Sequence, residues 1–417
     1  MEAKIRPLNT QQGQVKLIND YYGKGKTARE RGQLLAWGSG ICAAELLSAM
    51  DIYLIFPENY AADCGALKVS TEHCEVAETL GYPQDLCSYA RNQLGSTALG
   101  EKAKSRHGPL PRPDLLLCSN NQCSTITKWF QAVSREFNIP LLITDVPYLH
   151  GDIDDERFNS VLGYVKEQLK EHIAFLEQFT GRHYDHDRLQ ECVALTRKSA
   201  QLYADGLRMC RHIPSPMTAF DGFINIFGIM CLRGSEESVA FYEQFKAEIA
   251  ERVAEGFAAI PNERYRLYWD NLPVWFKLRD FTTKFISHGA CVVAASYFWN
   301  WLDFMEALDP SQPLDSLARG IIQPYINHGL EYKIEWLANC VEEYSIDGLV
   351  MQSTRSCKPF FMGQYDIIEA VEKRTGVPGV IIESDMCDLR FHSDAQVDAR
   401  LDAFFEVLAT RRRDRSG

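Results

Sequence analysis

The sequence predicts an α/β protein with two parallel-sheet domains and a mainly helical segment between them. Two regions alternate short apolar runs with helix-periodic segments, which is typical of βαβ units. Between them, residues 151 to 257 have the apolar spacing of long amphipathic helices. We therefore expect a first α/β domain in residues 1–150, a helical segment in 151–260 and a second α/β domain in 261–417. Both sheets should be of the Rossmann or flavodoxin-like kind.

The first domain is predicted from its apolar runs in chain order. Residues 15–50 combine helical spacing with a Gly-containing turn, AWGSGICAAELLSAM. IYLIF, residues 52–56, predicts a short strand that ends at Pro57. From residue 114 onward, DLLLC predicts a strand, STITKWFQAVSREFN a helix and IPLLITD a second strand.

The rest of the chain follows the same logic. Three long helix-periodic stretches fill the middle, VLGYVKEQLKEHIAFLEQF, LQECVALTRKSAQLYADGLRMC and SVAFYEQFKAEIAERVAEG, and Pro214 and Pro216 interrupt them. After residue 265, the runs YRLYW, ACVVAAS, DGLVMQS and GVIIES predict the strands of the second domain.

Composition excludes several classes of function. The net charge of −12 argues against a nucleic-acid partner, because phosphate neutralisation needs a basic surface. No run approaches the roughly 18 to 20 apolar residues of a membrane span. The first residues contain no apolar signal segment, so we expect a cytoplasmic protein. Thirteen cysteines in a reducing compartment are not a disulfide framework, and some can be ligands or reactive thiolates.

Two cysteines occupy matching places in a weak internal repeat. DLLLCSNNQCSTITKWF and DGLVMQSTRSCKPFFMGQ both run from an acidic residue through a strand and a polar loop to a cysteine before a helix. The cysteines are Cys123 and Cys357, whereas Cys118 ends its strand and has no counterpart. A helix N-terminus stabilises a thiolate, so both positions favour a ligand. The alternative is that both are ordinary buried thiols.

Cys87 is the third candidate ligand. Pro83 and Asp85 indicate a helix start just upstream, which places Cys87 in a first helical turn. Three cysteines near helix N-termini suit an iron–sulfur cluster that leaves one iron open. A zinc site is less favoured, because the chain has no CxxC pair and its close pair His183 and His186 is typical of a polar turn.

Six stretches resemble a known family. FPENYAADCGALK, YPQDLCSYARNQLG, LLLCSNNQCSTITKWF, ACVVAASY, DGLVMQSTRSCKPF and VPGVIIESDMCDLRF are similar to the larger subunits of the 2-hydroxyacyl-CoA dehydratases and to the related benzoyl-CoA reductases. The resemblance implies a [4Fe-4S] cluster held by Cys87, Cys123 and Cys357. The KW pair in TITKWF aligns Cys123 with the family ligand. In some relatives the cysteine leaves the strand earlier, which keeps Cys118 as an alternative.

The same resemblance implies an activity and its partners. It implies loss of water from a 2-hydroxyacyl-CoA through a ketyl radical, in a heterodimer with a smaller homologous subunit. The electron would come from an ATP-dependent activator protein, since this chain has no GxxxxGK[ST] loop. FPENYA and SCKPF resemble dehydratases more than ring reductases. The alternatives are one subunit of a benzoyl-CoA reductase and a double-cubane electron-transfer protein, in which Cys42, Cys64, Cys74 and Cys118 would serve a larger cluster.

Two further positions are candidates for catalysis. Glu58 follows a strand end and a proline, so a fixed loop presents it, and the resemblance places the matching glutamate near the substrate. The alternative is a surface-loop glutamate. Ser39 resembles a family serine, although Gly40 is an equally good alignment.

Other residues have two open interpretations. Some aromatic residues could line a pocket or pack in the core, namely Trp37, Tyr60, Trp269, Trp275 and Trp299. Cations beside the cysteines could contact CoA phosphates or tune the cluster, namely Arg91, Arg355 and Lys358.

Overall fold

Two four-stranded parallel sheets form the frame of the protein. The structure is a computed structural model that describes residues 6–151 and 153–416. The strands of the first sheet are β1 (Leu35–Gly38), β2 (Tyr53–Ile55), β3 (Leu115–Ser119) and β4 (Leu141–Thr144). Those of the second are β5 (Tyr265–Asp270), β6 (Ala290–Ala295), β7 (Gly348–Ser353) and β8 (Gly379–Glu383). The strand orders, β2-β1-β3-β4 and β6-β5-β7-β8, are the same, and they confirm the predicted Rossmann or flavodoxin-like α/β fold.

Helices cover the sheets and fill the middle of the chain. They are α1 (Thr10–Lys26), α2 (Ala44–Ala49), α3 (Pro57–Ala66), α4 (Ser70–Thr79), α5 (Ser88–Leu99), α6 (Ser124–Phe137), α7 (Asp155–Thr180), α8 (His186–Arg208), α9 (Ala219–Ile224), α10 (Phe227–Cys231), α11 (Glu236–Ala254), α12 (Leu278–Ser287), α13 (Ser296–Glu306), α14 (Pro313–Ile322), α15 (Leu330–Glu343), α16 (Lys358–Phe361), α17 (Gln364–Thr375) and α18 (Asp394–Ser416). None of these helices is both long enough and apolar enough to cross a membrane.

The internal repeat is visible in the hydrogen bonds at the start of each of its two copies. Asp114 precedes β3, and its carboxylate accepts a hydrogen bond from the Leu35 backbone N–H at 2.8 Å. Asp347 precedes β7, and its carboxylate accepts the equivalent bond from Arg266 at 2.9 Å. In both halves the aspartate N–H also donates back to the carbonyl of the same partner. The acidic residue that opens each repeat thus pins two neighbouring strands together.

Strand β1 is an element that the pattern of residues 15–50 does not predict, since that pattern favours a helix and a turn. It lies between β2 and β3, and all four of its residues are buried. A strand buried on both faces loses the apolar–polar alternation by which strands are recognised, and four residues are too few for any other signal.

The three long helices in the middle of the chain each begin with a side-chain N-cap. Asp154, Asp185 and Ser235 precede α7, α8 and α11, and each side chain accepts a hydrogen bond from a backbone N–H of the first turn. Helix α8 packs against α2 on the side of the first sheet and against α13 on the side of the second. The predicted divisions near residues 150 and 260 fall in the β4–α7 and α11–β5 connections.

Gly95 allows α4 and α5 to cross closely, and the Gly95→Ala substitution should be strongly destabilising. A β-carbon at this position would lie 1.8 Å from the carbonyl oxygen of His73, a backbone atom of α4. We expect the free energy of unfolding to fall by at least about 1–3 kcal/mol, the usual cost of overpacking. Thermal or denaturant unfolding measures this loss.

The matched control is Gly23→Ala in α1, where a β-carbon meets nothing within 4 Å. This substitution should raise stability by about 0.5–1 kcal/mol, because alanine favours the helix. Equal effects of the two alanines would contradict the proposed close crossing of α4 and α5.

Candidate functional site

The carboxyl ends of the two sheets face one cavity. Segments that follow β2, β3, β5, β6, β7 and β8 supply residues to its wall, which includes Glu58, Cys123, Leu272, Tyr297 and Cys357. Ligands of open parallel sheets bind at this edge, where loops enter helices. The site is therefore formed by both halves of the repeat together.

Cys87, Cys123 and Cys357 all line this cavity. Each occupies the residue before a helix, ahead of α5, α6 and α16 respectively. Cys87 thus stands one residue before its helix, whereas the sequence predicts the first turn. All thirteen cysteines are free, and these three are partly exposed while the other ten are buried. The structure brings the three predicted ligands together, and their role as ligands stays a prediction.

Two opposing effects set the pKa of these thiols, namely burial and hydrogen bonds from the helix N-termini. Burial raises the pKa of Cys87 to about 12 and that of Cys123 to about 11, and it raises the pKa of Cys357 well above its usual value. Backbone N–H groups of the first helical turns oppose this, as where Ile126 donates to the Cys123 sulfur at 3.4 Å. Without a positive partner the thiols stay protonated. A bound metal would convert them to thiolates.

Cys118 and Cys123 differ sharply in environment. Cys118 is fully buried within β3, where it pairs in register with Ile143, and it does not contribute to the cavity wall. Between the two cysteines the chain forms the SNNQ turn. The Asn120 N–H donates a hydrogen bond to the carbonyl of Thr144 at the end of the strand, and the Asn121 side chain donates to the carbonyl of Ile321. Of the two cysteines, Cys123 lines the cavity, and its role as the ligand stays a prediction.

Glu58 faces the cavity from the first turn of α3. One carboxylate oxygen accepts a hydrogen bond from the Gly40 N–H at 2.6 Å, and the other accepts from the Gln122 side-chain amide. Gln122 is oriented in turn because its oxygen accepts from the Ile41 N–H at 3.0 Å. Burial raises the pKa of Glu58 to about 7, against the lowering effect of these two hydrogen bonds. The carboxyl group can therefore both give and take a proton near neutral pH.

Ser39 has a structural environment. Its side chain is completely buried, and its hydroxyl donates to the carbonyl of Ile41 at 3.0 Å. The neighbouring Gly40 contacts the site instead, through Glu58. A β-carbon on Gly40 would lie 2.3 Å from the Trp301 ring and 3.3 Å from a Glu58 oxygen, so this position requires glycine. Neither residue contributes to the cavity wall, and the match of the family serine to Ser39 or Gly40 stays open.

An apolar and aromatic wall encloses the rest of the cavity. Its members are Tyr89, Ile126, Trp129, Leu272, Tyr297, Trp301, Ile326, Phe360 and Met386. None of the aromatic residues that the sequence suggests for a pocket belongs to this wall, since Trp37, Tyr60, Trp269, Trp275 and Trp299 pack elsewhere. Sequence reasoning missed Gln122, Tyr297 and Trp301. The polar SNNQ turn beside Cys123 is the one signal that could have indicated Gln122.

Arg91 joins the two halves behind Cys87. Its fully buried guanidinium lies 2.8 Å from Asp388 and 2.7 Å from Glu78, and it also donates to the carbonyl of Leu86. Because the guanidinium is fully buried beside two carboxylates, it is not exposed at the surface for a CoA phosphate. Arg355 pairs with Glu383 at the surface, and Lys358 donates to the carbonyl of Arg355 at 2.7 Å.

The buried network around Arg91 also extends to the loop that carries Cys357, because the Asp388 N–H donates to the carboxylate of Asp385 at 2.9 Å. Asp385 lies three residues before Asp388 and accepts a hydrogen bond from the Ser356 hydroxyl at 2.5 Å. Ser356 adjoins Cys357, as Leu86 adjoins Cys87. The loops that carry two of the three cysteines are thus held by one buried polar network.

The chemistry of the donor set fits an iron–sulfur cluster. Across residues 6–151 and 153–416, no three His, Cys, Asp or Glu side chains converge as the ligands of one metal ion would. Three thiols spread around one cavity, each at a helix N-terminus, are instead the ligand type of iron–sulfur clusters. The residues present therefore fit the [4Fe-4S] cluster that the family resemblance implies.

The fold and the site define a two-sheet α/β protein with a cysteine-lined cavity between its halves. The chain belongs to the family described as 2-hydroxyglutaryl-CoA dehydratase, D-component, whose model matches residues 41–408. It is 33% identical over 379 residues to one of the subunits of benzoyl-CoA reductase from Thauera aromatica, covering 88% of this chain and 87% of the relative.

Two dehydratase subunits are similar over a comparable length. The (R)-2-hydroxyisocaproyl-CoA dehydratase alpha subunit of Clostridioides difficile is 29% identical over 399 residues, covering 95% of each chain. The (R)-phenyllactyl-CoA dehydratase alpha subunit of Clostridium sporogenes is 28% identical over 387 residues, covering 92% of each. These comparisons confirm the predicted family.

Proposed function

We propose that this chain is the larger subunit of a 2-hydroxyacyl-CoA dehydratase. The reaction removes water from a 2-hydroxyacyl-CoA to give a 2-enoyl-CoA, through a ketyl radical anion of the thioester. The observation that carries the proposal is the pairing of three cavity cysteines with Glu58, whose pKa of about 7 suits proton transfer in both directions.

The proposed cofactor is a [4Fe-4S] cluster on Cys87, Cys123 and Cys357. Bound there, it would supply a single electron at low potential and one iron without a protein ligand. The chain itself orients the sulfurs by placing each at a helix N-terminus. The apolar wall keeps water away from the reacting thioester.

Glu58 is proposed to move the protons. The thioester does not acidify the C3 hydrogen of the substrate, but loss of the 2-hydroxyl from the ketyl radical leaves an enoxy radical whose C3 proton is acidic. In its protonated form Glu58 gives its proton to the departing hydroxide, and the resulting carboxylate takes the C3 proton. The electron is recovered at the end, so substrate, product and water balance and Glu58 is regenerated.

The proposed partners are a smaller homologous subunit and an ATP-dependent activator protein. The alpha-subunit names of the two dehydratase relatives support a second subunit. The absence of a phosphate-binding GxxxxGK[ST] motif from the 417 residues supports a separate source of ATP-driven electrons.

Ring reduction of an aromatic acyl-CoA is the second candidate. The 33% identity to the benzoyl-CoA reductase relative supports it, because this value is no lower than the identity to the two dehydratase subunits. Such a reductase would use the same cysteines but would consume electrons. A double-cubane protein is less favoured, because its extra candidate ligands Cys42, Cys64, Cys74 and Cys118 are buried outside the cavity wall.

Product analysis separates dehydration from reduction. The chain is purified anaerobically with its partner subunit and incubated with activator, ATP and either 2-hydroxyisocaproyl-CoA or benzoyl-CoA. We expect the 2-enoyl-CoA to form with far less than one ATP consumed per turnover, because the electron is recycled. A reduced ring formed with stoichiometric ATP, and no dehydration, would establish the reductase instead.

A further inference from the structure

The cavity wall has an uneven charge. Among the described residues that form it, the one ionisable carboxylate is Glu58, and none is lysine or arginine. Its polar members apart from Glu58 and the cysteines are Tyr89, Gln122, Thr125, Tyr297 and Asn300, and the remainder is aliphatic or aromatic. The Gln122 amide is already committed to Glu58 and Ile41, and the Asn300 oxygen accepts from the Ile326 N–H.

The nearest buried cations are held outside this wall. Lys333 lies close enough to Cys357 for a thiolate there to raise the lysine pKa, but its ammonium donates to the carbonyl of Pro359 at 3.3 Å and sits over the Tyr325 ring. Arg91 lies behind Cys87, where Asp388 and Glu78 pair with it. Neither is part of the cavity surface, so neither can form a direct ion pair with a carboxylate placed inside it.

The position of Glu58 determines where the acyl chain must lie. In the proposed function, Glu58 takes the C3 proton, so C3 comes within hydrogen-bond reach of its carboxylate. The atoms beyond C3 then meet the same wall, in which the Trp301 ring packs over Gly40 beside Glu58. An ω-carboxylate would be buried there without a counter-charge and close to another carboxyl group, which is strongly unfavourable.

We propose that the substrate of this protein has an uncharged, apolar or aromatic acyl group, and that acyl groups with a terminal carboxylate are rejected. This inference rests on the proposed function for the place of the acyl chain. It assigns the aromatic and aliphatic wall, with Trp129, Trp301 and Ile326 among its members, the role of selecting that group.

A pair of thioesters whose acyl groups have the same number and branching of non-hydrogen atoms tests the inference. In 2-hydroxy-5-methylhexanoyl-CoA an isopropyl group stands where 2-hydroxyglutaryl-CoA has its carboxylate, so charge is the main difference. We expect the cluster-loaded heterodimer to bind the neutral thioester at least about 100-fold more tightly by titration calorimetry. The same preference should appear in kcat/KM for dehydration. Equal affinity, or a preference for the glutaryl ester, would overturn the inference.

The two readouts separate this inference from the proposed function. A preserved binding preference without formation of enoyl-CoA would contradict the dehydratase function and leave the substrate class standing. Dehydration of both thioesters at equal kcat/KM would support the dehydratase function and contradict the proposed substrate class.

A substitution in the wall gives an independent test. Ile326 is distant in sequence from the three cysteines, and Ile326→Lys would supply the missing cation. We expect it to reduce the preference for the neutral thioester at least about tenfold compared with the uncharged control Ile326→Met. An unchanged preference in a folded, iron-loaded Ile326→Lys protein would contradict the assigned role of the wall.

Discussion

Replacing Cys123 by serine is expected to remove most of the iron from the anaerobically purified protein. The wild-type chain should carry roughly four irons, as one [4Fe-4S] cluster requires. Cys123 lines the cavity at the N-terminus of α6, and its sulfur accepts the Ile126 N–H. A serine hydroxyl is a much poorer ligand for iron than a thiolate, so we expect less than about one iron per chain and no detectable dehydration. Iron analysis and the visible absorption of the cluster measure the loss.

Cys118→Ser is the matched control. Cys118 lies five residues earlier but is buried within β3, so the serine should cost some stability and leave the iron content near the wild-type value. The reverse result, with iron retained in Cys123→Ser and lost in Cys118→Ser, would overturn the ligand assignment. About eight irons in the wild-type chain would favour a double-cubane protein.

Glu58→Gln is expected to lower kcat by about 10²–10⁴, the usual contribution of a positioned acid–base group, without loss of iron. Glutamine keeps the size of the side chain but cannot exchange a proton. Glu72→Gln is the control, since Glu72 lies on the surface beside Lys104, and we expect it to keep wild-type activity. A Glu58→Gln protein with full activity would leave Glu58 without a catalytic role.

The same residue predicts how stability depends on pH. The folded pKa of Glu58, about 7, lies above its ordinary value of 4.5, because burial disfavours the carboxylate. The folded protein thus keeps a proton that the unfolded chain releases between these two values. The free energy of unfolding should therefore decline as pH rises from about 4.5 to 7, by on the order of 3 kcal/mol, and should then level off.

Thermal unfolding of wild type and Glu58→Gln across about pH 5 to 8 measures this contribution. The wild-type melting temperature should fall relative to that of the variant as pH rises, because the variant lacks the titrating group. A constant difference between the two melting temperatures would contradict the raised pKa.

Much of the site follows from local sequence patterns. The strands β3 and β7, the helices that follow them and the cysteines between them recur in the repeat, and the structure places both cysteines at helix N-termini on one cavity. Local rules suffice here, because a strand, a turn and a helix start each have a signature of a few residues. Strand β1 escapes prediction because burial on both faces removes that signature.

The fold class, the repeat and the three cysteines could be read from the chain before folding, since these depend on residues that are neighbours in sequence. Only the tertiary structure decides which side chains meet across the cavity. Gln122 orients Glu58, Trp301 packs over Gly40, and Arg91 reaches Asp388 from the other half of the protein. Such contacts join residues that are distant in sequence. They depend on how the two sheets pack against each other, and no local pattern encodes that packing.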